Sequence, residues 1–211
     1  MSNAQPTTAD APQRVELSID GPVKQSVGSV LLRGLLAIPS MIILMLYQFL
    51  MNILVFFGWF TALGKGRMSE STEAQAIKTL TYQARVLAYL YWLTPENPGS
   101  PDSQSQTVHV SIQPAASTTG SVFFRNLLAI PGMIVAMVGS IVLLFTMIGM
   151  WFKLVFGGGQ VTEQQQISAT RKVRYFIRLG AFMALLTPLA PSGLSGDPEE
   201  LGSVPARVAA A

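Results

Sequence analysis

"LLRGLLAIPSMIILM" runs from Leu31 to Met45, and ninety-two residues later the chain reads "FFRNLLAIPGMIVAM", from Phe123 to Met137. Each copy carries an arginine two residues before a Leu-Leu-Ala-Ile-Pro run. Between Gly28–Pro39 and Gly120–Pro131, nine of twelve positions are identical. Chance likeness of two apolar segments would not keep arginine and Ala-Ile-Pro in step, so duplication is the natural reading.

The match extends outward from these runs. "VELSID", Val15 to Asp20, precedes the first copy and "VHVSIQ", Val108 to Gln113, precedes the second. Both alternate as short strands do. Trp59–Phe60 answers Trp151–Phe152, and glycine turns follow at Gly64 to Arg67 and at Gly157 to Gly159. "RVLAYLYWLTP", Arg85 to Pro95, then aligns with "RLGAFMALLTP", Arg178 to Pro188, at five of eleven positions. The expected organisation is a disordered tail over 1–13, one repeat over 14–95, a linker over 96–106, a second repeat over 107–189 and a disordered tail over 190–211. The linker assignment rests on the composition of "ENPGSPDSQSQ", rich in turn and polar residues.

The copies carry a membrane signature. Only 12% of the 211 residues are charged, against about 25% in soluble domains. No charge occurs from Gly34 to Gly64 or from Asn126 to Phe152, and both stretches exceed the ~18 residues of a transmembrane candidate. Pro39 to Leu63 and Pro131 to Phe156 each hold thirteen Leu, Ile, Val or Phe residues. At ~0.3–0.6 kcal/mol apiece this favours insertion by roughly 4–8 kcal/mol per stretch. The N-terminus lacks a basic start and short apolar run, so a cleavable signal peptide is not expected. With no cysteine, disulfides, thiolate catalysis and cysteine-held metals are excluded. A net charge of +3 spread along the chain gives no nucleic-acid stripe.

A short strand, R-x-L-L-A-I-P opening a long span, an aromatic and a glycine turn, and a helix ending in R-x-x-A-Y and Leu-Thr together resemble the bacterial membrane family called domain of unknown function 4389. The residues that carry the resemblance are Arg33, Leu35 to Pro39, Trp59, Gly66–Arg67, Arg85, Ala88–Tyr89 and Leu93–Thr94. In the second unit they are Arg125, Leu127 to Pro131, Trp151, Arg178 and Ala181–Phe182, with Gly159 in place of the turn arginine. The resemblance implies a membrane module in two tandem copies and supplies no reaction.

Ala74 to Leu93 contains six Leu, Ile or Val residues together with Lys78 and Arg85. The apolar gain of ~2–4 kcal/mol meets a cost of up to ~3 kcal/mol per charge, so the segment would not insert alone. If each unit crossed once, the copies would be inverted and their strands could not meet. Two crossings per unit would put matched features on one side. The expected fold is therefore mainly α and integral to the membrane: a tandem repeat of two parallel helical hairpins forming a four-helix bundle, with a short β-strand before each repeat. The alternative is two long spans, each followed by an interfacial amphipathic helix, in an inverted arrangement. Pro39 and Pro131 are expected to bend the long helices, because proline disfavours helix at the residue before it.

Lys78, Tyr82, Arg85 and Tyr89 fall on one helix face, and Arg171, Tyr175, Arg178 and Phe182 repeat the pattern. With Arg33 and Arg125 they form a candidate contact set for lipid headgroups or another membrane protein; snorkelling with an aromatic belt is the simpler reading. With no acidic residue in the spans, Arg85 and Arg178 must reach headgroups, backbone carbonyls or amides such as Gln48 and Asn52. The methionine pairs Met41 with Met45 and Met133 with Met137 read as packing, and the single histidine, His109, makes no metal site. No nucleophile–base pair is apparent. The expected protein is non-enzymatic, without cofactor or nucleic-acid partner. It would be a structural or accessory subunit of a bacterial cytoplasmic membrane that associates with lipids, other membrane proteins or itself. A small oligomeric transporter or channel is the alternative.

Overall fold

The computed structural model describes residues 15–20, 27–157 and 162–189. The expected tails at 1–13 and 190–211 lie outside these residues, as does most of the second glycine turn. The chain builds β1 (Val15–Ile19), α1 (Val27–Lys65), α2 (Glu70–Leu90), β2 (Val108–Ile112), α3 (Thr119–Phe123), α4 (Arg125–Phe156) and α5 (Glu163–Met183). It is mainly helical, with one small sheet. Val30–Lys65 and Arg125–Phe156 are long and apolar enough to cross a membrane.

The two strands do pair. They run antiparallel, with Val15 opposite Ile112, Leu17 opposite Val110 and Ile19 opposite Val108. Period-two alternation turns Val15, Leu17, Ile19, Val108 and Ile112 inward, while Glu16, Ser18, His109 and Ser111 stay exposed.

The ribbon closes over a pair of amphipathic helices. On α2 the buried positions Ala76, Leu80, Ala84 and Ala88 recur every four residues, and on α5 Ala169, Val173, Ile177 and Ala181 do the same. These stripes share one core with the inward side of the ribbon. Small residues let the two helices approach closely: a Cβ built on Gly180 would stand 2.6 Å from Leu80 Cδ2. Caps fix the starts of both helices. Ser69 accepts from the Thr72 N–H on α2, and Gln165 Oε1 accepts from the Thr162 N–H on α5 at 3.3 Å.

The long helices lie on the opposite side of this pair. Antiparallel α1 packs along α2: Tyr82 reaches Ser40, Lys78 lies over Tyr47, and Gly58 faces Met68 and Thr72. Similarly, α4 packs on α5 through Ala136, Tyr175 and Leu179. The long helices meet each other at their ends. Trp59 Nε1 donates to the Val122 carbonyl at 3.0 Å, while Val30 and Trp92 pack with Met150 and Leu154.

Those end contacts correct the expected topology. The start of α1 lies beside the end of α4, so the two helices are antiparallel. Parallel hairpins would have placed both starts together. The strands nevertheless meet, because they lie along the α2–α5 pair rather than at one end of it. The expected bends are also absent as helix breaks: α1 runs unbroken through Pro39 and α4 through Pro131. Each proline is exposed, and the carbonyl of the next residue accepts a tyrosine hydroxyl, Tyr82 on Ser40 at 3.4 Å and Tyr175 on Gly132 at 3.0 Å. The interruption that does occur is at Phe124, between α3 and α4.

Candidate functional site

The residues expected to form a contact face are mostly inside. Arg33, Tyr82, Arg85, Tyr89, Arg125, Tyr175 and Phe182 are buried, whereas Lys78, Arg171 and Arg178 keep partial exposure. The shared helix faces point at neighbouring elements, and the buried members have their side chains engaged within the chain.

Arg33 is 1% exposed, and its role follows from how α2 ends. There Leu93 N–H reaches back to the Ala88 carbonyl at 2.9 Å, with Trp92 in the left-handed region at φ 55°. This is a Schellman-type stop. It leaves the carbonyls of Tyr89 and Thr94 turned towards α1, where Arg33 Nη1 donates to them at 3.1 and 3.0 Å. The guanidinium lies 4.5 Å from the Tyr89 ring centroid. A cation at a helix C-terminus also meets the negative end of the macrodipole.

Arg125 is 2% exposed and does the same at the end of α5. Its Nη1 donates to the carbonyls of Phe182 at 3.0 Å and Thr187 at 2.7 Å, and Nη2 to Ser117 Oγ at 2.6 Å. Its guanidinium lies 4.3 Å from the Phe182 ring centroid. Leu185 holds φ 57°, and Leu186 N–H returns to the Ala181 carbonyl at 2.9 Å.

Arg85 gathers the segment that composition marked as a linker. Its Nη1 donates to Pro98 O at 3.4 Å, Ser100 O at 3.3 Å, Ser103 O at 2.5 Å and Ser103 Oγ at 3.0 Å, and Nη2 donates to Pro101 O at 2.9 Å. Burial lowers its pKa from the ordinary arginine value, against the opposing pull of Tyr82, Glu96 and Asp102; the group stays charged. Glu96 closes the same loop from the other side. Its carboxylate accepts from the Thr107 hydroxyl at 2.7 Å, the Ser105 hydroxyl at 2.8 Å and the Gln106 and Thr107 N–H groups at 3.1 Å. Composition marks 96–106 as a linker, and two charged side chains fold it against α2.

On α5 the basic residues serve the ribbon. Arg178 donates to the Val15 carbonyl through Nε at 3.3 Å and Nη2 at 3.2 Å, and Arg174 to the Leu17 carbonyl at 2.8 Å. Burial, with Arg171 nearby, lowers the Arg174 pKa. Of the targets considered for Arg85 and Arg178, backbone carbonyls are thus the ones used. Gln48 and Asn52 are not among them, and Asn52 lies exposed on α1.

The remaining surface is divided. Apart from Met183 and Leu189, every exposed large apolar side chain among the described residues lies between Leu31 and Phe60 or between Phe123 and Phe156. Met41, Met45, Met133 and Met137 belong to this outer side. Lys65 and Lys153 stand exposed near the C-terminal ends of the two long helices. Among the described residues no group of three His, Cys, Asp or Glu side chains could hold a metal. His109 faces Asp20 at 3.6 Å on the ribbon's outer surface.

Residues 28–100 match the family model of a domain of unknown function, DUF4389. The match begins at the start of α1 and ends in the loop that Arg85 holds, so the Arg33 contacts fall inside it, as do Arg85 itself and its Pro98 and Ser100 acceptors. No curated protein and no solved structure matches the chain.

The sequence pointed to the arginines without their acceptors. The signal was available: each repeated arginine travels with a repeated Leu-Thr-Pro. Polar groups that recur together in an apolar unit are candidates to satisfy one another.

Proposed function

We propose that the chain is a non-enzymatic membrane module: a structural or accessory protein whose long helices sit in lipid and whose α2–α5 pair and ribbon face away from it. The observation that carries this reading is the division of the surface. The outer side of α1 and α4 is mostly apolar, with exposed large apolar side chains from Leu31 to Phe60 and from Phe123 to Phe156, while Glu16, Ser18, His109, Ser111 and Asp102 are exposed on the other side. Exposed apolar patches of this extent are foreign to water-soluble monomers.

The same reading takes residues 107–189 as a second copy of the unit over 14–95. It draws support from the paired roles of Arg33 and Arg125, of Tyr82 and Tyr175, and of the left-handed Trp92 and Leu185. The cytoplasmic membrane of a bacterium is the setting that the DUF4389 resemblance suggests. Anionic headgroups would be met by Lys65 and Lys153 at the rim, with Arg171, instead of by the buried arginines.

Membrane fractionation of the expressed full chain tests the reading. The protein should stay in the pellet through alkaline carbonate and leave it in detergent. A detergent-free monomer in aqueous buffer would refute it. Lys65→Ala combined with Lys153→Ala should weaken binding to phosphatidylglycerol vesicles by about 1 kcal/mol per lysine; unchanged binding would remove the rim from the account.

A further inference from the structure

The long helices present a problem of level. Tyr47 lies near the middle of α1, and Lys78 Nζ stands 5.4 Å from its ring centroid. Lys78 in turn pairs with Asp102 at 2.5 Å, and the Asp102 side chain is 74% exposed. On the other long helix, Lys172 Nζ donates to Thr146 Oγ1 at 3.3 Å. An upright α1 would therefore carry a water-facing carboxylate to the depth of the bilayer centre. Ionisable side chains at that depth turn into a protein interior or a watery cavity, and Asp102 does neither.

The connection between the halves raises the same objection. It leaves α2 beside Arg33, at the start of α1, and arrives at Val122 beside Trp59, near the other end. On the way it forms the loop over 95–107 and the strand β2. With upright helices, a polar coil and a two-stranded ribbon would travel through hydrocarbon, where an irregular backbone is not tolerated against lipid.

Length points the same way. At 1.5 Å per residue the 39 residues of α1 measure ~58 Å, about twice the ~30 Å hydrocarbon layer. The exposed apolar positions nonetheless continue from Leu31 to Phe60, without polar ends.

We propose that α1 and α4 lie along the membrane plane, sunk into the acyl chains of a single leaflet. The α2–α5 pair and the ribbon then form the layer between them and water. This rests on the membrane reading above and specifies its geometry. A helix ~10–12 Å across fits within one leaflet of a ~30 Å layer. The arrangement reconciles two features that neither upright topology accommodates together, antiparallel long helices and paired strands. Lys78, Asp102 and the 95–107 loop all fall on the aqueous side, and the length of α1 ceases to matter. Lys65 and Lys153 reach headgroups from the helix ends.

Depth measurement decides the matter. The chain contains no cysteine, so single substitutions label cleanly. Leu35→Cys, Met45→Cys and Phe56→Cys on α1, with Met137→Cys and Phe152→Cys on α4, all fall at exposed positions and leave the packed side intact. The full chain, labelled with bimane, is reconstituted in phosphatidylcholine–phosphatidylglycerol vesicles containing lipids spin-labelled at shallow or deep positions. In-plane helices give one depth at all positions of a helix, and Ser111→Cys on the ribbon stays reactive to an impermeant maleimide. Upright helices give a profile deepest at Met45 and shallower by about 15 Å at Leu35 and Phe56. That result overturns the proposal and leaves the membrane reading standing. Vesicle-bound protein whose α1 labels no lipid quencher reaches overturns it in favour of a second copy or another protein on this face. Failure to bind vesicles at all removes the membrane reading and the proposal together.

Discussion

Arg33 Nη1 and the Thr94 carbonyl oxygen meet at 3.0 Å across 61 residues of chain. The contact exists because α2 stops abruptly. The turn through Trp92 directs the Tyr89 carbonyl, which also accepts from the Trp92 N–H at 3.2 Å, and the Thr94 carbonyl towards α1, and α1 supplies a buried cation at that spot. Arg125 and Thr187 form the corresponding contact at 2.7 Å. An otherwise expensive buried charge is thereby matched with acceptors that would themselves be expensive to leave bare.

Arg33→Ala should therefore cost about 2–4 kcal/mol, since hydrogen bonds to a charged group contribute ~1.5–3 kcal/mol and the stranded Thr94 carbonyl adds a penalty. Arg125→Ala should cost more, because it also releases Ser117. Arg33→Lys should recover only part of the loss, as an ammonium lacks the planar guanidinium face that lies 4.5 Å from the Tyr89 ring centroid. Thermal unfolding in detergent, followed by tryptophan fluorescence, measures all three. Equal stability of wild type and Arg33→Ala would deny the contact its structural role.

The duplicated apolar runs, the paired strands and the amphipathic second helices were all legible in the sequence, because each rests on a short-range pattern. What could not be read was direction. Arg85 and Tyr82 occupy the face their spacing predicts, but a helical face can turn towards lipid, water or another helix, and periodicity is silent on which. The antiparallel course of α1 and α4 depends on Trp59 finding Val122 and on Val30 finding Leu154. Those encounters are non-local. The fold of the 96–106 segment is hidden for a similar reason: "NPGSPDS" lacks order of its own, and Arg85 and Glu96 impose it from outside.

Glu96 makes the loop pH-sensitive. Burial would raise its pKa, but the Thr107 and Ser105 hydroxyls and the Gln106 and Thr107 N–H groups outweigh that and lower it. A depressed folded value means the contribution is complete above the unfolded glutamate range, near 4.3, and is lost as pH falls through the folded value. Proteolysis of the 98–105 segment should therefore accelerate on acidification below that range. Glu96→Gln should show the faster cleavage at neutral pH and lose the acid dependence. A pH-independent rate in the wild type would refute the assignment.

Gly66 turns the chain from α1 into α2 at φ 70°, and its carbonyl accepts from the Ser117 N–H at 2.8 Å. A Cβ at Gly66 would stand 2.7 Å from the Ser117 carbonyl oxygen, which is backbone and cannot swing away. Gly66→Ala should lower stability by about 1–2 kcal/mol from the left-handed conformation alone, and by more if the Ser117 strap detaches. Gly64→Ala is the control: nothing lies within 4 Å of its Cβ position and it sits in the last turn of α1, so alanine should be neutral or slightly stabilising. Similar losses for both variants would mean the strap contributes nothing.

Gly180 and Leu80 test the contact on which the two halves are joined. Leu80 is fully buried, and its Cδ2 occupies the place a Gly180 side chain would take, 2.6 Å from the Cβ position. Gly180→Ala should therefore overpack the α2–α5 seam and cost about 1–3 kcal/mol despite the gain in helix propensity. Leu80→Ala should cost about 2–5 kcal/mol by opening a cavity. Because each substitution changes the space available to the other, the double variant should be more stable than the sum of the two losses predicts, by about 0.5–3 kcal/mol. A double-mutant cycle read by chemical denaturation in detergent supplies that coupling. Strict additivity would mean α2 and α5 do not touch at this point, and the seam that joins the halves would have to be placed elsewhere.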